Sequence, residues 1–184
     1  MDMNDIENNE SVREGYQKLG VEDYYKEKAL TYSNPHEIKI EKLMNIFLNK
    51  YMKLNEDSKI LDLCCGSGEI TRVLENLGCK NIKGLDPFTS ELYKSKTNKD
   101  CIELNFKDIA NGKLEEKFDV IFCSFALHLA EDSLLPNILY NLSQISNNLV
   151  ILTPHKKPDI KLYYELDLEL YHEKIRLRKY KKIN

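Results

Sequence analysis

A chain of 184 residues with 42% hydrophobic and 31% charged side chains is long enough for one sheet covered by helices on both faces and too short for two full domains. That composition excludes disorder over most of the length, and a net charge of −3 excludes a globally basic surface that gathers nucleic acid. No run approaches the roughly 18 apolar residues that span a bilayer, and the start MDMNDIENNESVR lacks the basic, then apolar, order of a secretory signal. The expectation is a cytoplasmic protein, nuclear as well in a eukaryote, and a monomer that makes no membrane contact.

Residues 1–34 read as an N-terminal helical or lid segment, polar over the first ten and helix-compatible from Ser11 to Lys28. Asn34 as cap, Pro35 at the first helical position and Glu37 after it signal a helix start. Ile40, Leu43, Met44, Phe47 and Tyr51 then recur at helical spacing, which predicts a helix over 35–52 with one buried face. The period next changes. Lys59–Cys64 reads as a buried strand, Gly66-Ser67-Gly68 as a turn, and Ile70, Val73, Leu74 and Leu77 as a helix ended by Gly78. Further strands are expected at Asn81–Asp86, Cys101–Phe106, Phe118–Ser124 and Leu149–Thr153, with a helix from Leu134 or Pro136 carrying Ile138, Leu139, Leu142 and Ile145 inward. Strands that are apolar throughout belong to a parallel sheet covered on both faces.

The tail differs. Glu165–Leu170 alternates strictly and His172–Tyr180 keeps Ile175 and Leu177 in step, so the two predict an antiparallel edge hairpin. Its last part carries Lys174, Arg176, Arg178, Lys179, Lys181 and Lys182 against Glu173. That pattern reads either as an exposed edge strand guarded by lysines or as a docking surface for an anionic partner. The five cysteines, Cys64, Cys65, Cys79, Cys101 and Cys123, fall in strand-like segments without metal-ligand spacing, so no metal is expected.

An open parallel sheet binds its ligand beyond the carboxyl ends of its strands. Those ends here are Asp62–Gly68, Asp86-Pro87-Phe88, Asp108-Ile109, Ser124–His128 and Thr153-Pro154-His155. Gly66 and Gly68 permit a tight turn with exposed amides. Asp86, at the end of the next strand, is placed to accept two ribose hydroxyls, and glycine turn plus distant acid together indicate a nucleoside-containing cofactor. A nicotinamide dinucleotide is disfavoured because Thr71 stands where the third glycine of that fingerprint belongs, and because a pyrophosphate sits badly beside Asp62 and Glu69. A cationic sulfonium with an ammonium group does not, so the charge pattern favours S-adenosylmethionine.

Ile60-Leu61-Asp62-Leu63-Cys64-Cys65-Gly66-Ser67-Gly68-Glu69 resembles the first motif of the class I S-adenosylmethionine-dependent methyltransferases. Ile82–Asp86, Asn105–Ile109 and Phe118–His128 resemble the second, third and fourth, in the expected order over residues 35–184. The resemblance implies an α/β three-layer sandwich with a mostly parallel seven-stranded sheet, order 3-2-1-4-5-7-6, last strand antiparallel, and residues 35–184 as its catalytic domain. It also implies that Asp86 accepts the ribose hydroxyls, that Asp108 bonds the adenine amino group beside Ile109, and that Cys64, Gly66, Gly68, Pro87 and Ser124 approach the cofactor. By the same likeness Asp62 orders the turn or the cofactor ammonium. Cys64 departs from the pattern, which usually has glycine there.

Methyl transfer asks mainly for alignment and exclusion of water. An oxygen acceptor also needs a base, and His128 and His155, just past the fourth and fifth strands, are the candidates, with ordinary near-neutral pKa values expected. Tyr24, Tyr25, Tyr32 and His36 are the candidate lid or substrate residues. Ser124-Phe125-Ala126-Leu127 lacks the Asp/Asn-Pro-Pro-Tyr with which similar enzymes accept amino hydrogens of bases or amides, leaving a small-molecule or protein acceptor as the first expectation. The alternatives are an RNA methyltransferase using the basic C-terminal surface, a non-catalytic subunit activating a partner through an apolar face near Met52, and, last, an oxidoreductase.

Overall fold

The computed structural model describes residues 20–28, 34–158 and 160–184, with the backbone alone at Val21, Glu22 and Tyr25. The expectations for residues 1–19, for Tyr32 and for the side chain of Tyr25 lie outside the described residues. Strands β1 (Ile60–Leu63), β2 (Ile82–Leu85), β3 (Cys101–Ile102), β4 (Val120–Ser124), β5 (Asn148–Thr153), β6 (Tyr164–His172) and β7 (Ile175–Lys182) form one sheet in the order β3-β2-β1-β4-β5-β7-β6. The first five pair in parallel, and β7 runs antiparallel to both β5 and β6. Helices α1 (Val21–Lys28), α2 (Glu37–Lys50), α3 (Glu69–Asn76), α4 (Ser90–Thr97), α5 (Phe106–Ala110) and α6 (Leu135–Ile145) accompany it. Among the described residues no helix is long and apolar enough to cross a membrane.

Alternation along the central strands sorts the core into two layers. Leu61, Leu63, Ile121, Cys123, Leu149 and Ile151 pack with Ile138, Leu139 and Leu142 of α6. Ile60, Val120, Phe122, Val150 and Leu152 pack on the opposite face with Ile40, Leu43, Met44 and Phe47 of α2 and Ile70, Val73 and Leu74 of α3. Each fully buried Leu, Ile or Phe stabilises such a layer by ~1.5–3 kcal/mol. Asp62 falls by the same alternation on the α2/α3 side, and that fixes which helix can reach its carboxylate.

Three expected elements take a different form. Asn34 does not cap α2. Its Oδ1 accepts from the His36 amide at 2.9 Å, so it closes a turn around Pro35 and the helix begins at Glu37. The expected third strand, Cys101–Phe106, is only two residues long, because Asn105 and Asp108 form a reciprocal capping box that starts α5 at Phe106. The basic strand is not the edge. β7 lies between β5 and β6, and β6 is outermost. Glu169 on β6 accepts from Arg178 at 2.6 Å and Arg176 at 3.1 Å, while Asp167 pairs with Lys179 at 2.6 Å and Lys181 at 3.1 Å. Cross-strand pairing thus neutralises four of the tail's cations within the hairpin itself.

Candidate active site

The chain leaves β1 through a turn that alternates into left-handed backbone, with φ of 57° at Cys64, 53° at Gly66 and 86° at Gly68. Gly68 has a second constraint: a Cβ there would lie 2.5 Å from Thr97 Cγ2 and 3.3 Å from the Tyr93 ring. The non-glycine residue at the first of these positions is therefore strained, since an L side chain in this region costs about 1–2 kcal/mol. Glycine's greater freedom when unfolded offsets part of that. Cys64→Gly is expected to stabilise the fold by about 1 kcal/mol, ~2–4 °C in Tm for a chain of this size. Thermal unfolding checks it, and an unchanged or lower Tm contradicts it.

Behind the turn the polar groups are buried and paired. Asp62 Oδ2 accepts from Thr71 Oγ1 at 2.7 Å, and Thr71 Oγ1 lies 2.8 Å from the Tyr93 hydroxyl. Burial pushes the Asp62 carboxyl up to about 8, against the Thr71 hydrogen bonds that lower it; the nearby Glu69 and Asp86 charges add to the rise. Glu69 Oε1 accepts from Ser67 Oγ at 2.6 Å and from the Asn34 amide at 3.3 Å. Arg72, which no local motif marks, approaches the same turn, but its guanidinium is held by the Ser67 carbonyl at 2.7 Å and by Glu37. Cys64 lies against Cys123, whose sulfur holds its thiol well above the usual range, with burial adding to the shift. Burial does the same to Cys65, which sits 3.6 Å from Cys101, so these thiols are inert.

A cavity of about 380 Å³ opens at the carboxyl ends of β1, β2 and β4, within the size range of small-ligand clefts. Of the expected cofactor residues, Cys64, Gly66, Asp86, Pro87, Ile109 and Ser124 line it, while Asp62, Gly68 and Asp108 do not. Asp86 is braced at the lip: Oδ1 accepts from the Phe88 amide at 2.9 Å and the Thr89 amide at 3.0 Å, and Oδ2 from the Gly66 amide at 3.3 Å. Asp108 is turned to other work. Its carboxylate accepts from the Asn105 amide at 3.1 Å and from Lys113 Nζ at 2.6 Å, and the Lys113 ammonium holds it below the usual carboxylate range. The residues of that segment that do line the cavity are Leu104, Asn105, Phe106, Lys107 and Ile109. Two hydroxyls near these strand ends, Ser124 Oγ and Thr89 Oγ1, are buried without a protein partner, an arrangement that calls for an explanation.

The two candidate bases meet each other, not the cavity lining. His128, in a short turn after β4, and His155, after β5, stand with ring centroids 4.5 Å apart. Burial, with the neighbouring His155 second, lowers the His128 pKa to about 4, not the near-neutral value expected. Its Nδ1 is buried and unpartnered. His36 stacks on Phe125 at 5.0 Å, and Phe125, with φ of 57°, lines the cavity, so His36 stands one ring behind its wall. Tyr24 is buried and does not line the cavity.

The sequence model of a family described as a methyltransferase domain matches residues 36–180, nearly the whole sheet and its helices. The chain belongs to this methyltransferase family. The methyltransferase is 34% identical over 192 residues to an uncharacterized protein of Schizosaccharomyces pombe, covering 82% of this chain and 77% of that one. It shares its fold with the N-methyltransferase NodS from Bradyrhizobium japonicum WM9, solved with S-adenosyl-L-homocysteine, at a TM-score of 0.67 and 16% identity, covering 92% of this chain and 99% of the other. Magnesium protoporphyrin IX methyltransferase from Synechocystis PCC 6803, solved with bound SAM, gives 0.65 at 12% identity, covering 94% and 95%.

Several lining residues of the methyltransferase lie outside the expected set although a local pattern marks them. Asn105 with Asp108 three residues on is a capping pattern, which marks a helix start and places Asn105 and Phe106 at a strand-to-helix corner. Phe125 follows the last polar residue of β4 and was legible only as part of a motif. Tyr93, which stands behind the turn and does not line the cavity, had no local signal, because its role comes from the glycines of two other elements.

Proposed function

We propose that this methyltransferase binds S-adenosylmethionine and transfers its methyl group, by in-line displacement, to an oxygen or nitrogen nucleophile of a small molecule or protein side chain. The observation that carries the reading is the cavity bounded by the left-handed turn and by the braced Asp86 carboxylate, with Asp62 and Glu69 buried close behind. Ionised carboxylates there favour a cation and disfavour a pyrophosphate, Asp62 joining them as the pH passes about 8. The unpartnered Ser124 hydroxyl, at the cavity wall, fits a polar ligand that completes it. Bound S-adenosylmethionine supplies a methyl carbon already activated by the adjacent positive sulfur.

The chain's own residues then bind, orient and dry the site. Asp86 accepts the ribose hydroxyls with the lone pairs that its three amide contacts leave open. Asn105, in place of Asp108, offers its amide to an adenine edge, with Leu104, Phe106 and Ile109 as apolar walls. Phe125, backed by His36, forms the aromatic wall on the side where β4 ends. His128, or His155 beside it, takes the acceptor's proton once the acceptor enters from the β4 and β5 ends. His128→Ala is expected to lower turnover about 10²-fold or more while leaving the cofactor Kd nearly unchanged. Because burial keeps His128 neutral down to about pH 4, the acid limb of turnover falls near 4 and not near 6.5. Equal turnover in the variant removes His128 as the base.

The hairpin ion pairs weaken the RNA alternative. The non-catalytic alternative has one observation on its side, a groove lined by Leu48, Met52, Leu54 and Leu77 beside the exposed Tyr51. Calorimetric titration with S-adenosylmethionine and its demethylated product decides between the readings. Micromolar binding supports the enzyme, and no binding by the folded protein puts the scaffold in front.

A further inference from the structure

Asp62 does not line the cavity, yet side chains of two helices hold it immediately behind the turn that does. Thr71 on α3 donates its hydroxyl to Asp62 Oδ2. With that proton committed, the remaining contact has one polarity: the Tyr93 hydroxyl on α4, 2.8 Å away, donates to Thr71 Oγ1. Tyr93 is fully buried, and its ring fills the space left by two glycines, 3.3 Å from the Cβ position of Gly68 and 2.6 Å from that of Gly84. The chain Tyr93–Thr71–Asp62 therefore pins the turn from below and favours the charged form of the carboxyl, offsetting part of the rise that burial imposes and leaving it near 8.

Resting on the cofactor reading above, we infer that Asp62 makes the site distinguish cofactor from product by charge: the ionised carboxylate, steadied by Thr71 and Tyr93, favours a sulfonium over the neutral thioether left after transfer. In a low-dielectric setting a charge behind the turn acts across it without touching the ligand. Other titratable groups face Asp62 from every packed element. Glu69 on α3 is held by Ser67 and Asn34. Asp86, after β2, is braced by three amides. Cys64 and Cys65 in the turn and Tyr93 on α4 are all pushed up by their surroundings and stay protonated through neutral and alkaline pH.

The sign follows from linkage. Binding a cation lowers the pKa of the carboxyl, so binding expels its proton, and affinity for the sulfonium rises with pH up to the value in the free protein, about 8. Above that value it levels off. The neutral thioether has no such charge to offer. Amino and carboxylate groups common to both ligands cancel to first order in the ratio of the two affinities, and any residue of them is measured by an Asp62→Asn reference.

The experiment is calorimetric Kd measurement for S-adenosylmethionine and S-adenosylhomocysteine with wild type, Asp62→Asn, Thr71→Val and Thr71→Ser, from about pH 6 to about pH 9. A carboxyl-carbon NMR titration of Asp62 in the cofactor-free protein accompanies it. The wild-type ratio, product Kd over cofactor Kd, is expected to climb about tenfold and then flatten. In Asp62→Asn it stays level, in Thr71→Val the flattening moves to higher pH together with the NMR midpoint, and in Thr71→Ser both return. A wild-type ratio that is level with pH, or that matches Asp62→Asn, overturns the inference while leaving the cofactor reading intact. Failure of either ligand to bind at any pH overturns both.

Discussion

Asp86→Ala is expected to raise the Kd for S-adenosylmethionine by about 100-fold or more, because two hydroxyl bonds to an ionised acceptor contribute about 1.5 kcal/mol each. The carboxylate has a second task, since it accepts from the Phe88, Thr89 and Gly66 amides and so ties the β2 loop to the glycine turn. Alanine removes that brace as well, and a loss of ~1 kcal/mol of stability is expected beside the binding defect. Asp86→Asn separates the two. It keeps an oxygen for Phe88 and Thr89 while removing the charge, so stability is nearly retained and the Kd still rises about tenfold. Calorimetry gives the affinities and thermal unfolding the stabilities. A Kd for Asp86→Ala within about threefold of wild type would remove Asp86 from the cofactor site.

Gly84→Val is expected to cost the fold about 3 kcal/mol or more, since overpacking a filled core typically costs about 1–3 and the neighbours here are rigid. Even a single Cβ at Gly84 would lie 2.6 Å from Cε1 and Cζ of Tyr93 and 2.9 Å from Cys65 Sγ. Tyr93 cannot retreat, because it is fully buried and its hydroxyl is engaged by Thr71. The expected fall in Tm is about 6–12 °C for a chain of this length. Gly78→Ala is the control: that glycine has φ of 92° but nothing within 4 Å of its Cβ position, so it loses only the ~1 kcal/mol of left-handed strain. Equal losses in the two variants would show that crowding by Tyr93 is not what requires glycine in β2.

The sequence was most legible where one local rule was enough. Apolar runs gave the parallel strands, helical spacing gave Ile40 to Phe47 and Ile138 to Ile145, and the glycine turn followed by a distant acid gave Gly66 and Asp86 at the cleft. It misled where a residue had two local uses. Asp108 and Asn34 are both side chains that bond nearby amides, and in each case the local bond, a capping box and a turn, took the group expected elsewhere. The basic tail shows the same difficulty at longer range. Its charges suggested an outward-facing edge, yet their partners, Asp167 and Glu169, sit on the neighbouring strand that the chain inserts outside it.

By itself the sequence determined the α/β layering, the strand ends where the cavity opens, and two residues that line it, Gly66 and Asp86, because periodicity and turn chemistry act between residues close along the chain. Tertiary structure alone decided that Tyr93 supports the glycine turn through Thr71, that Asp62 is raised toward neutrality behind it, and that His128 is paired with His155 and lowered to about 4. Those properties depend on burial and on charges brought together from distant elements, and the free energy of a charge depends on everything that surrounds it.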